Sequence, residues 1–351
     1  MNLKQVPRNK NFQAFEHASY SVITEGRESK KLPVELFEAL KQFAGEKNLP
    51  YYSLTANGIR FKQYVGAIQI GNYCIEVLPK IDRILDENST QGILIDMLRQ
   101  IGYIKIKSPT ESDLKVKSNY ILESYLQMFL DETRHLIYKG LIKTYHNEEG
   151  NKNALRGSIL FNKHISKNIV HSERFYVRNT SFDREHPHNK VLYKTLMLIN
   201  QLSVSQEVLS ETQMQLICFP EMPDIVVSND FFHRVKWDRK TEAYKKAVEI
   251  ARLLLLNYHP DLSHGRNHVL ALMFDMNDIW EKWFTKRLKV AANKIESPVD
   301  IRAQNKKIFW SGNNGERIRQ KPDIIVENEI GVKYILDTKW KIVRNKPSEG
   351  N

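Results

Sequence analysis

The apolar positions of this chain change period several times, and those changes mark its elements. Leu36, Leu40 and Phe43, following Pro33, have helical spacing over 32–43. From Tyr51 the period shortens. Residues 59–64, 65–70 and 73–78 are strand-like runs, the last two joined at Gly71-Asn72, a two-residue hairpin signal. Ile93, Met97, Leu98 and Ile101 line one side of a helix predicted over 90–102, with Gly102 as its stop. After a polar link, 108–118, a long amphipathic helix is expected over 120–143 through Leu122, Leu126, Phe129, Leu130, Leu136 and Ile137. Residues 155–161 read as a turn feeding a short apolar segment, 175–182 as extended, 189–202 and 238–258 as helices, and 220–223 as a loop. The middle third is therefore expected to be a helical scaffold.

A further helix is predicted over 268–293. At about 100° per residue, Leu270, Met273, Phe274, Trp280, Phe284, Leu288 and Ala291 share an arc of about 120°, and Glu281 falls inside it. A carboxylate on a core-facing stripe is costly unless it meets a cation or a hydrogen-bond donor. Two readings are open: a glutamate that supports a polar site, and a rim glutamate that pairs with Lys282 or Lys286 or reaches solvent.

The polar site is offered by the stretch KPDIIVENEIGVKYILDTKWK, residues 321–341. Two β-rich runs, 324–326 and 332–336, flank 327–331, and a three-residue loop at 329–331 places Gly331 in the left-handed position such loops favour. That register sets Asp323 directly opposite Asp337, with Lys339 on the same face because side chains alternate with period two. Two converging carboxylates repel unless something neutralises them, and a hard divalent cation such as Mg2+ takes oxygen ligands of this kind. Lys339 cannot be a third ligand, but it can orient or deprotonate an attacking water and offset charge on a phosphate. This is a P-D…(D/E)-x-K arrangement. The alternative is a surface hairpin carrying solvated ion pairs.

Composition narrows the partner. The formal charge of +12 over 351 residues points to a polyanion, most simply nucleic acid, with solubility as the other reading. Lys105, Lys107, Lys115 and Lys117 crowd one link, Arg156, Lys163, Lys167, Arg174 and Arg178 another region, and Lys341 sits beside the hairpin; each could track phosphates or face solvent. No apolar run approaches the length of a membrane span and the polar start is no signal peptide, so a cytoplasmic protein without membrane association is expected. Cys74 and Cys218 are expected to be buried thiols, and His186-Pro187-His188 a turn rather than a metal site. No G-x-x-x-x-G-K-[ST] loop occurs, so the chain carries no recognisable nucleotide-hydrolysing loop.

The order helix, strand-like 299–308, PDIIV and YILDTK resembles the α-β-β-β core of the PD-(D/E)xK nucleases. With Val65-Gly66-Ala67-Ile68, Ile75 to Lys80, Leu155-Arg156-Gly157-Ser158-Ile159, the helix start at Asn189 and Phe274 through Glu281, nearly the whole chain resembles McrC, the endonuclease subunit of McrBC and LlaJI-like restriction systems. The resemblance implies a mixed α+β fold with a β-rich partner-docking module (1–112), a mainly helical scaffold (113–265) and a nuclease core (266–351). It implies a McrB-like AAA+ GTPase hexamer as partner, GTP bound by that partner, double-stranded DNA, possibly methylated, as substrate, and Mg2+ as cofactor. By position Asp323 and Asp337 match the metal carboxylates, Lys339 the catalytic lysine and Glu281 the supporting acid of the helix. The family core continues past the lysine with a glutamine-bearing helix and a strand, whereas this sequence stops twelve residues after Lys339. An incomplete core is expected, with weak or no cleavage unless something completes the sheet; the alternative function is a non-cutting adaptor that stimulates the partner's GTPase.

Overall fold

The computed structural model describes residues 10–22, 30–46, 50–81, 87–103, 121–171, 173–202, 204–259, 268–294, 299–303, 307–311, 317–320 and 322–341. Lys105, Lys107, Lys115, Lys117 and everything after Lys341 lie outside them. The chain divides into two compact units, residues 1–125 with 257–351, and residues 126–256. In this division the two ends of the chain share one unit.

The first unit opens with β1 (Lys10–Phe15), β2 (Ser19–Ser21), β3 (Lys30–Lys31), α1 (Val34–Glu46), β4 (Tyr52–Thr55), β5 (Gly58–Phe61), β6 (Tyr64–Ile70), β7 (Tyr73–Leu78) and α2 (Glu87–Ile101). The period-two stretch from Tyr51 and the Gly71-Asn72 connection between β6 and β7 are as expected. Strands β3-β2-β5-β4 form a four-stranded sheet. Leu32, Leu36, Leu40 and Phe43 pack with Ile59, Phe61, Ile68, Ile70, Ile75 and Val77 in one apolar cluster.

On the face of β7 opposite Ile75 and Val77, Glu76 is a buried charged group, 1% exposed. Its Oε2 accepts from Gln91 Nε2 at 2.6 Å, and its Oε1 accepts the backbone N–H of Ile121 at 3.0 Å. Ile121 starts α3 (Ile121–Lys139), so the carboxylate satisfies a helix-start donor that has no partner inside the helix. Burial pushes its pKa up to about 6 from 4.5, against the hydrogen bonds that lower it. A carboxyl raised in the folded state contributes stability that is present below the unfolded value and lost as pH rises through the folded one. Glu76→Gln, with the Gln91 amide turned to keep its bond, is therefore expected to be more stable than the parent at pH 7.5 by up to about 2 kcal/mol. Urea unfolding should show that advantage vanishing toward pH 4.5.

The second unit holds most of α3, then β8 (Thr144–Lys152), β9 (Ser158–Ile159), α4 (Phe161–Asn168), β10 (Phe175–Asp183), α5 (Pro187–Gln201), α6 (Gln206–Cys218), α7 (Asn229–Arg234), a short 3-10 turn (Glu242–Tyr244) and α8 (Lys245–Leu256). The scaffold expected to be mainly helical, with an extended stretch over 175–182, holds that stretch as β10, but β8, β10 and β9 form a sheet in that order, with β8 and β10 paired from Thr144↔Asp183 to Lys152↔Phe175. The sequence of β8, TYHNEEGNK, is polar on both faces and carries no hydrophobic period to mark a strand. His186 is the N-cap of α5 and Pro187 its first residue, so the His-Pro-His segment is a helix start rather than a free turn. Cys74 is buried as expected, but Cys218, the last residue of α6, is exposed.

The chain then returns to the first unit as β11 (Tyr258–His259), β12 (Val269–Asp275), α9 (Met276–Ala292), β13 (Asp300–Ala303), β14 (Lys307–Ser311), β15 (Arg317–Gln320), β16 (Ile324–Glu327) and β17 (Lys333–Leu336). The helix expected over 268–293 is in fact a strand followed by a helix. Residues 269–275 pair antiparallel with β6, from Val269↔Ile70 to Asp275↔Tyr64, completing a sheet of order β1-β7-β6-β12-β11. Leu270, Met273 and Phe274 therefore belong to that strand and not to the stripe that carries Glu281. Asp275 caps α9, its Oδ1 accepting from the Asn277 N–H at 2.8 Å. The single strand expected over 299–308 is two strands in different sheets, β13 with β16 and β17, and β14 with β15. No described helix is long and apolar enough to cross a membrane.

Candidate active site

The hairpin of β16 and β17 has the register its turn chemistry dictates. Ile324 pairs with Leu336 and Glu327 with Lys333, and Gly331 in the connection has φ +84°. Extending that ladder by one residue sets Asp323 opposite Asp337. The Asp323 carboxylate fixes the outgoing strand end, its Oδ2 accepting from the Thr338 N–H at 2.7 Å and from the Thr338 hydroxyl at 3.2 Å. Lys339 Nζ lies 2.7 Å from Asp337 Oδ2, both side chains being about two-thirds exposed. The trio expected from the sequence, Asp323, Asp337 and Lys339, is thus together.

Its electrostatics follow from that proximity. The Asp337 carboxyl is held below its usual range, first by the hydrogen bond from Lys339 and also by one with Asp323. Lys339 is held above its usual range, first by the bond to Asp337, with the Asp323 charge adding to it. Two carboxylates within hydrogen-bonding reach of each other are costly to keep ionised without a cation between them. This all-oxygen donor set fits a hard divalent ion of the Mg2+ type, which takes one or two carboxylates and completes its shell with water.

Glu281 sits half-buried on α9, next to Trp280. Among the described residues no hydrogen bond or ion pair joins it to the trio. Lys282, one candidate partner of a rim glutamate, pairs instead with Asp278 at 2.6 Å. The link between α9 and the hairpin is aromatic: the Trp280 and Trp340 rings lie 5.0 Å apart, and Trp280 also stacks on Trp283. Trp340 Nε1 donates to Glu16 Oε1 at 2.5 Å. Neither Glu16 nor Trp340 stands out in the sequence, because 324 positions separate them and no local pattern pairs them.

The basic candidates divide. Lys341 is exposed beside the trio, and its charge contributes to lowering Asp337. Lys163 is engaged by Glu149 at 2.6 Å, as is Arg178 at 2.7 Å, while Arg156 is exposed ahead of β9. A second acidic group escaped the sequence reading: His146, Glu148 and Asp183 approach one another across β8 and β10. His146 Nε2 is 3.2 Å from each carboxylate, and Lys152 and the Glu185 N–H also engage those acids. A polar two-stranded ribbon accounts for it.

The family model described as "McrBC 5-methylcytosine restriction system component" matches residues 59–351. No curated protein matches. Among solved structures, the chain is similar to one in the refined half-complex from the tetradecameric assembly of Thermococcus gammatolerans McrB AAA+ hexamers with bound McrC. The TM-score is 0.65 at 18% identity, covering 95% of this chain and 80% of that one. A chain of the cryo-EM structure of the Thermococcus gammatolerans McrBC complex gives 0.57 at 17% identity, covering 80% and 87%. At these identities the likeness is one of fold.

Proposed function

The chain belongs to the family of McrBC 5-methylcytosine restriction system components, and from that premise we propose that it is the DNA-cutting subunit of such a system, acting with a McrB-like AAA+ GTPase. The observation that carries this reading is the convergence of Asp323, Asp337 and Lys339 on one hairpin. The missing nucleotide-binding loop agrees with a division of labour in which the partner holds GTP. The partner itself is inferred from the solved structures, one an assembly of McrB AAA+ hexamers with bound McrC and the other a McrBC complex.

In this reading Asp323 and Asp337 would hold Mg2+, which would supply Lewis-acid charge at the scissile phosphate when bound. Lys339, beside Asp337 and exposed, would orient or deprotonate the attacking water and offset developing phosphate charge. Asp323 also fixes the strand end that presents Lys339, through Thr338. Lys341, exposed beside the trio, would meet the DNA backbone next to the cut.

One observation favours a second reading. Among the described strands β17 is the edge of its sheet, and Tyr334 and Ile335 on it are exposed. An edge with no further described strand on it, beside the trio, suits an adaptor that stimulates the partner's GTPase without cutting. The purified chain with its cognate partner, GTP, Mg2+ and 5-methylcytosine-containing DNA separates the two. Cleavage that disappears with Asp337→Asn supports the nuclease; GTPase stimulation without any cleavage supports the adaptor.

A further inference from the structure

We propose that Glu16, in the N-terminal part of the first unit, is a positioning residue for the acid-lysine hairpin, acting through a hydrogen bond to Trp340 that fixes Lys339. This rests on the nuclease reading for its catalytic consequence, but the tether itself does not.

The contact is built like a designed anchor. Glu16 follows β1, is 1% exposed, and its backbone N–H is held by the Leu78 carbonyl at 3.0 Å. Its Oε1 takes two donors, the Lys80 backbone N–H at 2.9 Å and the Trp340 indole N–H at 2.5 Å. Burying a carboxylate is expensive, and burial is the largest influence raising its pKa. Retaining an acid there makes both hydrogen bonds charge-assisted, shorter and stronger than a neutral acceptor would give. The other oxygen, Oε2, is buried with no hydrogen-bond partner among the described atoms, the His17 Nε2 standing 4.0 Å away. The carboxylate is therefore spent on the two Oε1 contacts.

What they fix is a short segment without regular structure. After β17 the chain runs through 337–341 with no ladder partner. Thr338 is pinned by Asp323, and Trp340 is caught between Glu16 and Trp280. Lys339 lies between these two anchored neighbours, so its backbone is set from both sides while its side chain stays exposed to reach Asp337 and a substrate. Without the Glu16 end, Thr338 alone would hold the segment, and the lysine would sample geometries that do not serve the reaction.

The test uses the full chain and two readouts. Glu16→Ala and Trp340→Phe, the latter keeping a ring against Trp280, should each raise amide hydrogen exchange over 337–341 by roughly tenfold, with exchange in β6 and β7 unchanged. Glu16→Gln retains an acceptor oxygen without the charge and should fall between the parent and Glu16→Ala. With partner, GTP and DNA, the first two variants should lower kcat by roughly tenfold at unchanged KM, and the double variant should be no worse than Glu16→Ala alone, since Glu16→Ala already removes the bond that Trp340→Phe removes. Unchanged exchange over 337–341 in Trp340→Phe, or additive effects in the double variant, overturns the proposal. Should Glu16→Ala not fold, Trp340→Phe and Glu16→Gln decide it. If the parent chain cuts no DNA, the nuclease reading fails while the exchange data still decide the tether.

Discussion

Lys339→Ala is expected to leave the hairpin folded and divalent-ion binding intact while DNA cleavage falls by roughly 10²–10³-fold. The lysine is exposed and its ion pair with Asp337 spans 2.7 Å in solvent, so the fold does not depend on it. Losing the ammonium frees Asp337 from its strongest hydrogen-bond partner, which leaves the carboxylate more available to a cation. What disappears is a positive charge that faces the phosphate only as its negative charge develops, an interaction that weighs on kcat more than on substrate affinity. Asp337→Asn should behave differently: cleavage lost to a similar degree, but Mg2+ or Mn2+ binding weakened as well. Isothermal titration with Mn2+ beside the cleavage assay separates the two. Loss of metal binding in Lys339→Ala, or retained cleavage in either variant, would remove these residues from the roles assigned here.

Much of this site was legible in the sequence because its determinants are local. The turn at 329–331 fixes the register and the register sets Asp323 against Asp337, while Lys339 reaches Asp337 from the segment that follows β17; the ladder from Ile324↔Leu336 to Glu327↔Lys333 is the consequence of that turn. The helix expected over 268–293 failed for a physical reason. Val269, Leu270, Ala271 and Leu272 are all buried, so the segment is a central strand covered on both faces and shows no period-two alternation to separate it from a helix. Only Asp275 marked the switch, as an N-cap two residues before Asn277. Leu270, Met273 and Phe274, three residues of the stripe expected to carry Glu281, belong to that strand, and Glu281 is a half-buried neighbour of Trp280. Strand β8 was hidden for the opposite reason, being polar on both faces, and the contact between Glu16 and Trp340 because nothing local encodes it.

Gly66→Ala is expected to destabilise the first unit by roughly 3 kcal/mol or more, through two costs that no neighbouring side chain can relieve. Gly66 lies at the middle of the central strand β6, between Val77 of β7 and Met273 of β12, with φ +138°. That backbone region is essentially closed to residues with a Cβ. A Cβ there would also stand 2.1 Å from the Leu272 carbonyl oxygen and 3.2 Å from the Met273 Cα. Both are backbone atoms of β12, so relief requires β6 and β12 to move apart. Their pairing is what ties 269–275 into the N-terminal sheet, and α9 starts at its end, where the Met276 N–H donates to the Gln63 carbonyl at 2.9 Å. Opening the pair would displace α9, and with Trp280 the wall on which Trp340 rests, so cleavage should fall along with stability. Gly92→Ala is the control: it lies inside α2, a Cβ there meets nothing within 4 Å, and helix propensity alone should make it neutral or stabilising by up to about 1 kcal/mol. Urea unfolding of the two variants side by side tests the argument, and a Gly66→Ala protein as stable as the parent would show that β6 and β12 are not held as closely as this register requires.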